Sequence, residues 1–208
     1  IALNRRVDSA CAEALSEQFI EVLIAPGYDE AALEILMRKP NTRILEDEER
    51  RLAPLDEFDV RQVDGGLLVQ DRDVVLADPA QMEVVTEREP TDAEWRDLLF
   101  AWRVCRFVKS NAIVVARGEG TLGIGAGQMS RVDSVKIALG REWIEDRSGL
   151  ALASDAFFPF ADGPQAAMDG GVAAFIQPGG SVRDDDVVRA VNERGGTMVF
   201  TSRRHFRH

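Results

Sequence analysis

Residues 110–131, SNAIVVARGEGTLGIGAGQMSR, say more about the architecture of this chain than any other segment. Its apolar run 112–116 predicts a strand, the glycine-rich turn after it predicts a chain reversal, and 121–124 predicts a second short strand. A glycine-rich loop then precedes a helix that is predicted to open near Ser130. Glycine removes side chains, so backbone N–H groups and a helix N-terminus can approach an anion. These residues alone leave ligand binding and an ordinary tight connection between packed elements equally open.

On both sides of this stretch, helical and strand patterns alternate. On its N-terminal side we expect helices over 9–19 and 29–38, strands over 21–25, 59–63 and 66–70, a solvated charged connection over 46–51 and a loop over 78–83. On its C-terminal side we expect strands over 150–153, 172–176 and 197–201, and helices past Pro164 and over 184–193. Such alternation predicts an α/β protein with a layered α/β/α architecture.

The segment 91–109 carries the strongest helical signal of the chain. Thr91 and Glu94 have the spacing of a capping box, in which each side chain satisfies a backbone N–H of the other residue. Apolar residues such as Leu98, Trp102 and Cys105 follow at helical spacing. We therefore predict a core helix over 91–109.

Composition excludes several classes of function. The chain has 208 residues, 45% hydrophobic content, a formal charge of −11 and only three lysines, so nucleic acid is not an expected partner. No apolar run approaches the ~20 residues that cross a bilayer, and no signal peptide is recognised. Two cysteines, Cys11 and Cys105, cannot form a disulfide framework or a metal site unaided. We expect a soluble cytoplasmic protein without membrane contact.

Five segments, in the same order along the chain, resemble the C-terminal, formyl-transferring part of one enzyme family. The family is the bifunctional purine-biosynthesis enzyme aminoimidazole carboxamide ribonucleotide transformylase/inosine monophosphate cyclohydrolase. The segments are EVLIAPGYDEAALEIL (21–36), the stretch 110–131, ASDAFFPFADG (153–163), IQPGGSVRDDDVV (176–188) and RRHFRH (203–208). The resemblance covers nearly the whole chain.

The resemblance implies a particular domain organisation. The family's transformylase region is a duplicated fold like that of cytidine deaminase, so residues 1–70 would be the remainder of a first unit and 71–208 a second unit. The opening segment IALNRRVD resembles the family's interior. We therefore expect a fragment that lacks the N-terminal cyclohydrolase domain and the start of the transformylase region. The family also implies a homodimer whose sites lie at the subunit interface.

The implied reaction moves a formyl group from 10-formyltetrahydrofolate, the co-substrate, to the amine of 5-aminoimidazole-4-carboxamide ribonucleotide, without a metal. That amine is a poor nucleophile, so catalysis must orient both substrates, remove a proton and stabilise an oxyanion. The family assigns the proton transfer to a Lys-His pair upstream of this chain, and no such pair occurs here. The fragment alone is therefore expected to be inactive. The alternative is a non-catalytic folate- and nucleotide-binding or dimerisation fragment.

Five residues match ribonucleotide contacts of the family: Glu21, Asn111, Arg131, Phe157 and Arg204. Asn111 would support catalysis beside the carboxamide and amine, because its amide both donates and accepts. Arg204 would bind phosphate with its forked donors. Each has a structural alternative: a cap on the 91–109 helix for Asn111, a strand-end surface acid for Glu21, a core ring for Phe157, and surface positions for both arginines.

Four residues match folate contacts of the family: Val132, Asp162, Ser181 and Val182. Asp162 would pair with the polar edge of the pterin, or else cap a helix before Pro164. Ser181 would cap the following helix and donate to the ligand. The terminal His208 matches the family's terminal histidine and is a candidate supporting group, although a terminal residue is normally frayed.

Two other enzyme classes fit the sequence poorly. The run GIGAG at 123–127 lacks the G-x-G-x-x-G spacing of a nicotinamide-binding βαβ unit and follows a strand–turn–strand pattern. A zinc deaminase would need H-x-E and P-C-x-x-C motifs, and the chain contains neither.

Overall fold

The computed structural model describes residues 1–48, 58–74 and 77–207. The chain divides into two compact units, Ile1–Arg72 and Asp73–His208, which we describe in turn. The likeness of either unit to cytidine deaminase stays a prediction.

In residues 1–48 and 58–72, the first unit contains two helices and four strands. They are α1 (Ser9–Ser16), β1 (Val22–Ala25), α2 (Glu30–Leu36), β2 (Arg43–Glu46), β3 (Phe58–Val63) and β4 (Gly66–Asp71). Strands β1 and β2 are parallel, and β3 and β4 form an antiparallel pair. Helix α1 begins where the Asp8 side chain accepts a hydrogen bond from the N–H of Cys11 at 2.8 Å. Leu23, Ala12 and Ala32 are fully buried in the core of this unit.

Strand β2 was not expected from the sequence. Glu46, assigned to a charged connection, is the last residue of β2, where it pairs with Ala25. A strand on an exposed edge is held by main-chain hydrogen bonds, so its side chains need not alternate between polar and apolar. Residues 49–51 of that charged run lie outside the described residues.

The second unit carries four helices and six strands among its described residues. They are β5 (Glu83–Val84), α3 (Asp92–Cys105), β6 (Ile113–Arg117), β7 (Gly120–Gly125), α4 (Arg131–Leu139), β8 (Leu150–Ser154), α5 (Asp162–Asp169), β9 (Val172–Gln177), α6 (Asp184–Asn192) and β10 (Thr197–Phe200). The expected loop over 78–83 contains a 3-10 turn at Pro79–Gln81 and the first residue of β5. Asp78 caps that turn by accepting from the N–H of Ala80 at 3.0 Å.

These strands form one sheet in the order β5-β10-β9-β8-β6-β7. Strands β8, β9 and β10 are parallel, whereas β5, β6 and β7 run antiparallel to their neighbours. Side chains alternate between two cores: Val115 and Leu152 pack with α4, α5 and α6, whereas Val114 and Ala153 pack with α3 on the other face. The predicted α/β class is confirmed, and this unit has three layers.

Helix α3 begins where the sequence predicts. The Oγ1 atom of Thr91 accepts from the N–H of Glu94 at 3.3 Å, and Glu94 accepts from the N–H of Thr91 at 2.8 Å. The helix ends at Cys105, four residues before the predicted end at 109. The next residues form tighter turns, in which the N–H of Phe107 donates to Val104 and that of Val108 to Cys105. Neither glycine nor proline marks this end, so the pattern could not locate it.

One edge of the sheet collects several chain segments. The carboxyl ends of the parallel strands β8, β9 and β10 lie there. Ile113, the first residue of β6, pairs with Ser154 at the end of β8 and with Gly125 at the end of β7. The residues just before β6 and just after β7 and β8 therefore meet at this edge, which is where open α/β sheets usually bind ligands.

Candidate functional site

Two glycines of the stretch 110–131 are packing positions. Gly123 and Gly125 lie inside β7, where an added Cβ atom would stand 1.9 Å from the backbone oxygen of Ala138 and 2.0 Å from that of Ser134. Only glycine allows α4 to lie this close to β7. The interpretation as a tight connection is therefore correct for these two residues. Anion binding by the loop that follows them stays a prediction.

A cleft of ≈ 450 Å³ opens at the edge of the sheet described above. It brings together six of the residues predicted to bind substrates, namely Asn111, Arg131, Val132, Phe157, Asp162 and Arg204. Its remaining walls are mostly apolar or aromatic, and include Met129, Phe158, Pro159, Phe160 and Phe206. A concave, largely apolar cleft with a few convergent polar groups is typical of a small-molecule site.

Arg131, the first residue of α4, is buried against the base of this cleft and is only 8% exposed. Its Nη1 atom donates to Asp155 Oδ1 at 2.5 Å and to Ser154 Oγ at 2.8 Å, and its Nη2 atom donates to Asn111 Oδ1 at 2.8 Å. The alternative of a surface arginine is wrong. These bonds leave Nε–H and one Nη2–H without a partner among the described residues.

The Asn111 side chain closes the glycine loop onto the sheet. Its Nδ2 atom donates to the backbone oxygens of Gln128 at 2.9 Å and Met129 at 3.1 Å, while its Oδ1 atom accepts from Arg131. The alternative role of capping the 91–109 helix is wrong, because α3 ends six residues earlier, at Cys105. Both amide hydrogens are used within the protein, so Asn111 keeps acceptor capacity only on Oδ1.

Arg204 presents a different environment from that of Arg131. It is exposed, and its guanidinium carbon lies 5.0 Å from the ring centroid of Phe157 and 5.8 Å from that of Phe206. It forms no ion pair with a carboxylate in the part of the chain that the structure describes. A guanidinium on aromatic faces keeps its in-plane donors available for an anion.

The two predicted folate residues in the cleft lie at the starts of helices. Val132 is the second residue of α4, and Asp162 is the first residue of α5. Asp162 is exposed, and one of its oxygens accepts from the N–H of Gly163 at 2.8 Å. The N-cap of α5 is Ala161, so the expectation that Asp162 is the N-cap is off by one position.

Ser181 and Val182 are not among the residues that line this cleft. They lie in the loop before α6, where Ser181 Oγ accepts from the N–H of Arg183 at 3.2 Å and Val182 is fully exposed. The guanidinium of Arg183 lies 4.9 Å from the ring centroid of Phe160, a residue of the cleft wall. The loop is thus adjacent to the rim.

Two predicted residues remain, Glu21 and His208. Glu21 belongs to the first unit, where it is exposed immediately before β1 and its backbone oxygen accepts from the N–H of Arg43 at 2.8 Å. Its surface position fits the structural alternative, and the ribose contact stays a prediction. His208 lies outside the described residues.

The sequence interpretation missed Ser154 and Asp155, which hold Arg131 in place. Both are fully buried at the end of β8. A signal was available, because two consecutive polar residues follow the apolar run LALA at the carboxyl end of a predicted buried strand. His205 was also missed. The centroid of its buried ring lies 4.4 Å from that of Trp102, with the two rings tilted by 46°, and its Nδ1 atom contacts the Asp73 carboxylate.

A second cavity, of ≈ 480 Å³, lies beside α6 and differs in charge. Its lining carries one arginine against four acidic residues, namely Glu87, Asp184, Asp185 and Glu193. The cleft lining carries two arginines and one aspartate. An anionic ligand therefore favours the cleft. Within the described residues, no cluster of three metal-ligating side chains occurs, and no helix has the length and apolarity to cross a bilayer.

Comparison with known proteins identifies the family. Residues 1–141 match the AICARFT/IMPCHase bienzyme family. This chain belongs to that family. It is 51% identical over 218 aligned residues to the bifunctional purine biosynthesis protein PurH of Magnetococcus marinus, and 53% identical over 212 to PurH of Anoxybacillus flavithermus. Each alignment covers all of this chain and about 40% of the relative, 41% and 40% respectively. The family resemblance inferred from the five segments is confirmed.

Proposed function

We propose that this chain forms the substrate-binding part of a purine-biosynthesis enzyme that transfers a formyl group from 10-formyltetrahydrofolate to 5-aminoimidazole-4-carboxamide ribonucleotide. Family membership and the purine-biosynthesis names of two relatives that are about half identical support the pathway. The observation that carries the choice of site is Arg204, a guanidinium without a carboxylate partner in the described chain, lying beside an aromatic ring in an otherwise acidic protein.

The ribonucleotide would contact both the arginines and the aromatic rings that line the cleft. Its phosphate would bind the Arg204 fork, and its heterocycle would pack on Phe157, whose ring is partly exposed to the cleft. The two remaining donors of Arg131 would hydrogen-bond to the carboxamide or the phosphate. Because Asn111 has acceptor capacity only on Oδ1, that oxygen would accept a hydrogen bond from an N–H donor such as the reacting amine.

The folate would lie toward the helix starts. The exposed Asp162 carboxylate suits adjacent N–H donors at the edge of a pterin, and Val132 offers apolar contact next to Arg131. A cleft of ≈ 450 Å³ is of the size that holds one drug-sized ligand. Two substrates of this size need further surface, which a second subunit would supply in the homodimer that we propose.

The chain's own groups bind and orient, but they do not complete the chemistry. No lysine in this sequence is followed by histidine, so the proton-transfer pair of the family would come from residues outside it. The same fact favours a second candidate, a binding or dimerisation module without turnover. For both candidates we propose a cytoplasmic location, where the protein would meet the folate and the ribonucleotide.

The test is turnover by the full-length product of the natural gene. We expect tetrahydrofolate to appear spectroscopically when both substrates are present, and not when either is omitted. A rate equal to that of the no-enzyme control, with ribonucleotide binding intact in calorimetry, would exclude the formyltransferase and support the second candidate, a binding module without turnover. Absence of both turnover and binding would eliminate both candidates.

The same protein tests the role of Arg204. Arg204→Ala should weaken ribonucleotide binding more than folate binding, because the lost fork faces the phosphate. Arg207→Ala is the matched control, since Arg207 lies in the same terminal segment and does not line the cleft. Equal losses for the two ligands, measured by calorimetry, would contradict the assignment.

A further inference from the structure

Asp155 joins the parts of the cleft that are distant in sequence. It follows β8 directly and is fully buried. Its Oδ1 atom accepts from Arg131 Nη1 at 2.5 Å and from the N–H of Ala112 at 3.1 Å. Its backbone N–H donates to the oxygen of Ala112 at 3.2 Å, and its backbone oxygen accepts from the N–H of His205 at 3.0 Å. One residue thus contacts the start of β6, the start of α4 and the terminal segment.

We propose that Asp155 is the positioning residue of the cleft, which sets the Arg131 guanidinium through its carboxylate and the Arg204 segment through its backbone. The inference rests on the proposed function, because it assigns Asp155 a role in ribonucleotide binding.

Asp155 is one of three groups that restrain the Arg131 guanidinium. An arginine side chain has several rotatable bonds, and a single ion pair does not fix its plane. Here Asp155 and Ser154 hold Nη1 while Asn111 holds Nη2, so both ends of the guanidinium fork are constrained. Asp155 carries the only full negative charge among these three partners. Without it, a buried cation would remain and would be driven toward solvent in the cleft.

The terminal segment, residues 201–207, forms no helix or strand of its own. The contacts that hold it include the His205 N–H donating to Asp155, the His205 ring against Trp102, and the oxygen of Arg207 accepting from the Ser110 N–H at 2.9 Å. His205 is buried, whereas Arg204 and Phe206 on either side of it are exposed and line the cleft. The hydrogen bond from the His205 N–H to the Asp155 oxygen therefore holds the chain immediately next to Arg204.

The Oδ2 atom of Asp155 adds a reason to expect function. It is buried and makes no hydrogen bond within the described residues. An ion pair retained only for stability usually has its remaining lone pairs satisfied, and an incompletely satisfied one is costly. A carboxylate with this cost is explained if it orients the Arg131 guanidinium toward a ligand in the cleft.

The experiment is a double-mutant cycle on the full-length protein, read by calorimetric titration with 5-aminoimidazole-4-carboxamide ribonucleotide. The variants are Asp155→Asn, Arg131→Gln and the double variant, with Asp133→Asn, an exposed carboxylate on α4, as the matched control. We expect Asp155→Asn to weaken binding at least ~10-fold, as misplacement of a binding group does. The double variant should bind as weakly as Arg131→Gln alone, since Asp155 acts through Arg131.

Two results would overturn the inference. One is binding by Asp155→Asn within twofold of the wild type. The other is a double variant whose loss equals the product of the two single losses, as expected for independent structural damage. If Asp155→Asn does not fold, the comparison of the double variant with Arg131→Gln still decides, because the double variant leaves no unpaired buried charge.

Hydrogen exchange separates this inference from the proposed function. In Asp155→Asn, peptides that cover 126–131 should exchange faster than in the wild type, because the carboxylate that holds Arg131 is lost. Peptides that cover 201–207 and peptides from α3 should not change, because the bond to the His205 N–H comes from the Asp155 backbone. If the wild type binds no ribonucleotide, the proposed function fails, and the exchange result alone judges the positioning role. Unchanged exchange over 126–131 would refute it.

Discussion

Replacing Gly125 by alanine tests how the cleft depends on close packing of α4. The added Cβ atom would stand 2.0 Å from the backbone oxygen of Ser134. Contact becomes ordinary at 3.4 Å, so that oxygen would have to retreat by about 1.4 Å. The obstacle is helix backbone, which cannot rotate away as a side chain can. Helix α4 as a whole must therefore move from β7.

The stability cost follows from two opposing terms. Forcing extra volume into a packed site costs about 1–3 kcal/mol, and a backbone clash belongs at the upper end. Alanine restricts the unfolded chain, which offsets about 0.4–1 kcal/mol. We expect a net loss of about 2 kcal/mol in the free energy of unfolding, or about 4–8 °C in melting temperature for a protein of this size.

The displacement should also reach the cleft. Ser134 Oγ donates to the backbone oxygen of Asn111 at 2.7 Å, and Arg131 lies one turn before Ser134 on the same helix. Moving α4 by more than 1 Å would disturb both contacts. Ribonucleotide binding should therefore weaken along with stability.

The assay is denaturant unfolding followed by circular dichroism, with ribonucleotide titration of the folded protein. Gly120→Ala is the matched control, because Gly120 lies in the same strand and an added Cβ atom would meet only the oxygen of Arg117 at 3.4 Å. If the free energy of unfolding of Gly125→Ala lies within about 0.5 kcal/mol of that of Gly120→Ala, which is the scatter of neutral surface substitutions, the close packing of α4 on β7 does not limit stability.

Two further predictions concern the stability of the second unit. Burial lowers the pKa of His205 below its usual 6.5, with Arg106 and Arg203 acting in the same direction and Asp73 in the opposite one. As pH falls below about 6.5, the unfolded chain therefore binds a proton that the folded chain resists, and stability decreases. His205→Gln should remove that part of the decrease between pH 7.5 and 5.5 in urea unfolding, whereas His208→Gln should retain it; equal slopes would contradict the prediction. Thr91→Ala should lower the free energy of unfolding by about 1 kcal/mol, because it deletes the acceptor for the N–H of Glu94, and no change in urea midpoint would count against the capping box.

Local signals in the sequence predicted the local parts of the fold. The start of α3 was found because Thr91 and Glu94 are three residues apart and contact each other directly. The C-terminal end of α3 and the existence of β2 were missed, because both depend on main-chain contacts that no side-chain pattern reports. The order of strands in the sheet likewise depends on pairing across long sequence separations, as between Thr197 and Ala174.

The candidate site was predictable only as a list of residues. The resemblance named six residues that line one cleft, but it did not separate those that are bound to one another from those that face open space. The partner that buries Arg131 is Asp155, 24 residues away, and the burial of that pair follows from tertiary packing. Asn111 was assigned a helix cap as its alternative for the same reason, since its true partners lie 17 and 18 residues ahead.

The difference between the two arginines has a consequence for the proposed reaction. Arg131 is 8% exposed and its charge is already balanced by Asp155, so moving it to a phosphate would break three hydrogen bonds and leave a buried carboxylate unpaired. Arg204 is exposed and lies on aromatic rings, so it can turn toward a phosphate without losing a carboxylate partner. On the proposed function, Arg204 therefore supplies the main attraction for the phosphate. Arg131 orients the ribonucleotide, because its two remaining donors, Nε–H and one Nη2–H, belong to a guanidinium that is held in place.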